Sequence, residues 1–116
     1  MRLNNRLISN HLSKNKDVVS KYDKDELVHN KISLTLYSEV MKSIDNVKEK
    51  ASRIKAKTFL YHGMSDKIIS SKGTIEISKL LKSHKLKLYD NVYHEPHNDL
   101  EKEEIYQDIL EFIKKI

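Results

Sequence analysis

The sequence predicts an α/β protein built from two parallel strands with flanking helices, and three observations carry that prediction. Two short apolar runs, one around residues 57–61 and one around residues 86–89, have the length and aromatic content of strands. Each is followed by a segment whose apolar residues recur at helical spacing, so the second half reads strand, helix, strand, helix. Two glycines and one proline in 116 residues encode few tight turns, so the rest of the chain is expected to be mostly helix.

Taken in order, residues 1–14 are polar with scattered Leu and Ile and show no assignable pattern. Residues 15–24 read as a short helix with Val18, Val19 and Tyr22 on one side. A longer helix is expected over about residues 34–53. Leu36, Val40, Ile44, Val47, Ala51 and Ile54 form a single stripe at spacings of three and four, facing the core or a cap, and Ser33 stands where an N-cap belongs. The first strand, 57–61, is stopped by Gly63. A helix over 71–84 turns Ile77, Leu80 and Leu81 inward, and the second strand, 86–89, alternates Leu86 and Leu88 with Lys85 and Lys87. The last helix, 101–115, aligns Ile105, Ile109, Phe112, Ile113 and Ile116. It carries acids in its first turn and Lys114 and Lys115 in its last, as the helix dipole favours.

Composition removes several classes of function. The net charge is +5, but only Arg2, Arg6 and Arg53 are arginine, and the lysines are spread along the chain. With no block of like charge and no aromatic–basic interleaving, nucleic-acid binding is not expected. No apolar run reaches the roughly 18 residues of a transmembrane segment. The N-terminal MRLNNRLISN does not read as a signal peptide. Cysteine is absent, which rules out disulfides and thiolate zinc sites and is compatible with a cytoplasmic setting, the default location. No cofactor motif is present.

The chemistry concentrates where the strands end. In open parallel sheets, ligand sites form beyond the carboxyl ends of the strands. Asp66 lies just past the first strand and His94 just past the second, so neighbouring strand ends bring an acid and an imidazole towards one crevice. An aspartate that accepts a hydrogen bond from one ring nitrogen fixes the tautomer of the histidine. It also stabilises the imidazolium formed when that histidine takes a proton from a nucleophile. Taken alone, Asp66 also reads as a turn or capping acid and His94 as a surface histidine. His97, three residues on, is the competing base, but Pro96 displaces it towards the last helix. His94, His97 and Asp99 carry metal-ligand side chains in close succession. The segment HEPHN is not H-E-x-x-H, and Pro96 spoils a helix through it, so no metal is expected. His62 is expected to pack at the sheet end, and His11, His29 and His84 to be solvated.

The stretches KTFLYHGMSDKIISSKG and KLKLYDNVYHEPHNDLEKEEIYQDILEFI resemble the C-terminal portion of monoacylglycerol lipase and lysophospholipase-like α/β-hydrolases, a serine aminopeptidase S33-like family. The shared pattern is an apolar strand, H-G-x-x-D and a helix, then a strand ending in Y-x-x-x-Y-H-E and a final helix. SKNKDVVSKYDKDELVHNKIS resembles the upstream segment that follows the cap, with Asp25-Glu26 where the family has Asp-Pro. The resemblance implies that residues 1–32 are the end of the cap region and a linker, and that residues 33–116 are the C-terminal part of the hydrolase core. It implies that Asp66 and His94 are the acid and base of a catalytic triad acting on a lipid ester. The family's serine sits in G-x-S-x-G. With only Gly63 and Gly73, and Lys67 where a second glycine would follow Ser65, this chain cannot contain that motif. The expectation is therefore a C-terminal fragment whose partner is a missing N-terminal half carrying the nucleophile, and which is prone to self-association. The alternative is a non-catalytic remnant or a small basic interaction module.

Overall fold

The computed structural model describes all 116 residues. In chain order the elements are β1 (Arg2–Asn4), α1 (Lys16–Lys24), β2 (Lys31–Ser33), α2 (Leu34–Lys50), β3 (Thr58–Gly63), α3 (Ser71–Leu80), β4 (His84–Tyr89) and α4 (Lys102–Lys114). Short 3-10 turns occupy Ser9–His11, Ala51–Arg53 and Pro96–Asn98. The architecture is the expected α/β arrangement, a parallel strand pair with flanking helices, and adds a small antiparallel pair.

Strands β3 and β4 pair in parallel, in the register Thr58↔His84 through Gly63↔Tyr89, with α3 as the crossover. Both strands therefore finish level with each other, and the loops that follow leave from the same end of the sheet. The small core lies beneath that end. Tyr89, Val92 and Ile105 are buried together, with Tyr61 and Ile109 packed against them. Phe59 stacks on Phe112 of α4 with ring centroids 5.4 Å apart, which holds the last helix to the sheet. Helix α4 has the acids Glu103 and Glu104 in its first turn and Lys114 in its last, as the sequence predicts. Ile113 and Ile116, assigned to its inner face, are exposed.

Element boundaries differ from expectation for local reasons. Strand β3 continues through His62 to Gly63, because these residues pair with Leu88 and Tyr89. Gly63 is the last residue of the strand, as expected, and also marks a close approach of backbone. Helix α3 ends at Leu80, four residues early. Thr58 N–H bonds Ser83 O at 3.1 Å and draws Ser83 and His84 into the ladder, and no Gly or Pro announces that exit. Leu81 is buried as expected, but Leu80 is exposed.

Helix α2 starts at the predicted cap, with Ser33 Oγ accepting from Leu36 N at 3.0 Å. Its stripe does not face the core: Leu36, Val40, Ile44 and Val47 are all exposed, and only Ala51, past the helix end, is buried. They line an open groove of about 640 Å³ with Leu60, Ile69 and Ile77. The pair β1–β2 was not legible. Three-residue antiparallel strands whose partners lie 29 residues apart (Leu3↔Ile32) leave no periodic signal.

Candidate active site

Two hydrogen bonds zip the turn after β3 to the end of β4 and its loop, and a third closes the turn itself. Met64 N–H donates to Tyr89 O at 2.9 Å, Ser65 N–H to Val92 O at 3.0 Å, and Asp66 N–H to Gly63 O at 3.1 Å. The approach is so close that a β-carbon on residue 63 would lie 2.3 Å from the carbonyl oxygens of both Val92 and Tyr93. Only glycine fits there. Asn91, with φ of 56°, turns the β4 loop through the left-handed region that Asn tolerates better than most residues.

Asp66 is fixed by the turn it begins. Its Oδ1 accepts from Ile68 N at 2.8 Å and from Ile69 N at 2.9 Å. The side chain is only 2% exposed. Its Oδ2 faces His94 Nδ1 at 2.9 Å. Burial pushes the carboxyl up, but the Ile69 N–H, the His94 ring and the Ile68 N–H together outweigh it and hold the pKa below the ordinary carboxylate value. The carboxylate is thus a pure acceptor, and His94 must carry its proton on Nδ1. His94 is 26% exposed, and its Nε2 has no partner within the chain. The imidazole is oriented at one nitrogen and free at the other.

The loop carrying His94 is braced from below by Asp99, which is completely buried. Asp99 Oδ2 accepts from Tyr93 N at 2.8 Å, and Oδ1 from Leu100 N at 2.8 Å and Lys14 N at 3.0 Å. Glu95 N–H donates to Leu12 O at 2.8 Å, and Ser13 Oγ–H to Asn98 O at 3.0 Å. The unassigned N-terminal segment is thus a strap across the loop that presents His94.

Of the residues weighed from sequence, the structure brings Asp66 and His94 together. His97 is exposed, its carbonyl accepting from Tyr106 Oη at 2.7 Å, and its ring makes no bond to Asp66. Asp99 is committed to three backbone N–H groups, so His94, His97 and Asp99 do not form a cluster. Sequence reasoning missed two contributors. Asp99 is a metal candidate by spacing alone, but in the structure it is a buried aspartate near a helix start that binds loop N–H groups. His62 packs at the sheet end as expected, but its Nε2 also lies 3.0 Å from Asp66 Oδ2. Its position four residues before the acid was the available signal. No helix is long and apolar enough to cross a membrane.

Two parallel strands thus deliver an acid and an imidazole to one crevice at the end of the sheet. The family model described as serine aminopeptidase, S33, matches residues 1–101, and the chain belongs to that family of α/β-hydrolases. It is 36% identical over 107 residues to an abhydrolase domain-containing protein of Dictyostelium discoideum, covering 90% of this chain and 11% of that one. It is similar to the crystal structure of the Paleococcus ferrophilus monoacylglycerol lipase, with a TM-score of 0.89 and 33% identity over 97% of this chain and 45% of that one. It shares its fold with a soluble variant of the Saccharomyces cerevisiae monoglyceride lipase, with a TM-score of 0.84 and 18% identity, covering 99% of this chain and 42% of that one. The chain thus spans about a tenth of the curated relative and under half of each solved structure.

Proposed function

We propose that this chain supplies the acid and the general base of a serine hydrolase acting on carboxylic esters of the monoacylglycerol or lysophospholipid type. The nucleophile comes from sequence outside these 116 residues. The observation that carries the reading is the 2.9 Å bond from His94 Nδ1–H to Asp66 Oδ2, made where two parallel strands end together. The kinship with a monoacylglycerol lipase supports the ester class.

The chemistry follows from the free nitrogen. His94 Nε2 takes the proton of a serine Oγ as that oxygen attacks the ester carbonyl carbon. The buried Asp66 carboxylate stabilises the imidazolium and keeps the ring from turning. His94 then returns the proton to the departing alcohol oxygen as the acyl C–O bond breaks. Water repeats the cycle on the acyl-enzyme.

A chimera tests this directly. Residues 1–116 replace the matching part of the Paleococcus ferrophilus lipase, and the release of fatty acid from a monoacylglycerol is measured. Turnover by the folded chimera supports the reading. A folded chimera that binds a monoacylglycerol analogue but releases no fatty acid overturns it.

A further inference from the structure

We infer that His62 is a positioning residue for the Asp66–His94 pair, clamping the turn that carries Asp66 against helix α3. The inference deepens the proposed function and rests on its reading of that pair. Three contacts carry it. His62 Nε2 hydrogen-bonds Ile69 O at 3.1 Å. Its Nδ1 pairs with Thr74 Oγ1 of α3 at 2.8 Å. The same Nε2 lies 3.0 Å from Asp66 Oδ2, the oxygen that His94 holds.

The tautomer follows from the partners. Nε2 faces two acceptors, a carbonyl and an ionised carboxylate, so it carries the proton. Nδ1 is then an acceptor, and the Thr74 hydroxyl donates to it. The ring is fixed at both ends, one on the turn and one on α3.

The turn is gripped on both sides of a single residue. Ile69 N–H donates to Asp66 Oδ1 at 2.9 Å, while Ile69 O receives the His62 proton. Moving Ile69 therefore moves the acceptor of His94. The Ile69 carbonyl meets the geometry of a hydrogen bond with His62 Nε2, whereas Asp66 Oδ2 is near in distance alone, so the clamp outweighs the competition for Oδ2. The net effect of His62 is to steady the His94 bond. The titratable groups joined to this cluster are His62, Asp66 and His94. Lys67, next in sequence, and Glu95, which accepts from Asn98 Nδ2 at 2.9 Å, bond to none of them.

Nitrogen-15 NMR of the histidine rings tests the clamp in the 116-residue chain. The unsubstituted protein is expected to show His62 protonated on Nε2 and a protected His94 Nδ1–H proton. In His62→Phe that ring proton exchanges faster with water and its line broadens. His62→Gln, whose amide N–H reaches towards Ile69 O, restores it, and Thr74→Val gives a partial loss. The ladder amides of β3 and β4 keep their exchange protection throughout, which separates positioning from general destabilisation. An unchanged His94 proton in His62→Phe, a His62 protonated on Nδ1, or parallel loss of ladder protection overturns the inference. The readout needs no catalysis. An inert chimera sinks the acid–base reading alone, and an unmoved ring proton sinks the clamp alone.

Discussion

Gly63 and Val92 touch backbone to backbone: a β-carbon on residue 63 would lie 2.3 Å from the Val92 carbonyl oxygen, well inside van der Waals contact. This crossing brings the β4 loop, and His94 with it, over the end of β3. The nearest neighbours of that β-carbon are backbone atoms, so the clash cannot be relieved by a side-chain rotation.

Gly63→Ala is therefore expected to push the Val92–Tyr93 segment away and lengthen the His94–Asp66 contact. Destabilisation of about 2 kcal/mol or more fits a forced backbone shift. Chemical denaturation and the His94 ring proton report the two effects. A variant with unaltered stability and an unaltered ring proton would show that the crossing is looser than described.

Asp99→Ala removes the acceptor for three backbone N–H groups, those of Lys14, Tyr93 and Leu100. An unsatisfied buried donor costs about 1–3 kcal/mol, so a loss of at least about 3 kcal/mol is expected. Hydrogen exchange at Tyr93 and Lys14 should rise before exchange in the β3–β4 ladder. Equal acceleration everywhere would deny Asp99 a local role.

Two carboxylates govern the acid limit. Asp108 is held below the ordinary value of 3.8 by the Lys87 ammonium and the Tyr89 hydroxyl, which donates at 2.6 Å. Asp66 also lies below 3.8, as its hydrogen bonds outweigh burial. A depressed folded pKa means that the unfolded chain binds protons first. The stability from both groups is complete above the ordinary carboxylate value and drains away as pH falls through their lower folded values. Denaturation midpoints of Asp108→Asn and Asp66→Asn should fall less steeply below about pH 4 than those of the unsubstituted chain. Identical acid slopes would contradict the assignment.

The exposed apolar face of α2 and the free edge of β3 predict self-association. Sedimentation should show mass rising with concentration, and Val40→Lys with Ile44→Lys should reduce that rise. A monomer at every concentration would count against it. The chain alone should also leave a p-nitrophenyl ester at the background rate, because no G-x-S-x-G motif is present. Enzyme-like turnover abolished by Asp66→Ala would refute that.

The parallel pair and the two site loops were legible because their signals are local. Each strand is a short apolar run, and each ends in a residue type that strand ends use. Helix caps were equally readable at Ser33, where one hydroxyl and one amide decide the start. The exit from α3 at Leu80 was not, since it is imposed by pairing with Thr58, far away in sequence. The α2 stripe was found as a pattern, but periodicity states which residues share a face and not what covers that face. The roles of Asp99 and His62 were less legible because each has a partner in a distant segment, the Lys14 N–H for Asp99 and the Thr74 hydroxyl for His62, which composition does not register.

The central claim is that His94, held by Asp66, is the general base. Its most direct test is the turnover number of the lipase chimera carrying His94→Ala, set beside His97→Ala. The account predicts a fall of roughly four to six powers of ten for His94→Ala, as expected when a triad histidine is lost, with KM little changed. His97→Ala should stay close to the unsubstituted chimera, since its ring is exposed and makes no bond to Asp66. A chimera that keeps its activity without His94, or loses it only without His97, would contradict the account.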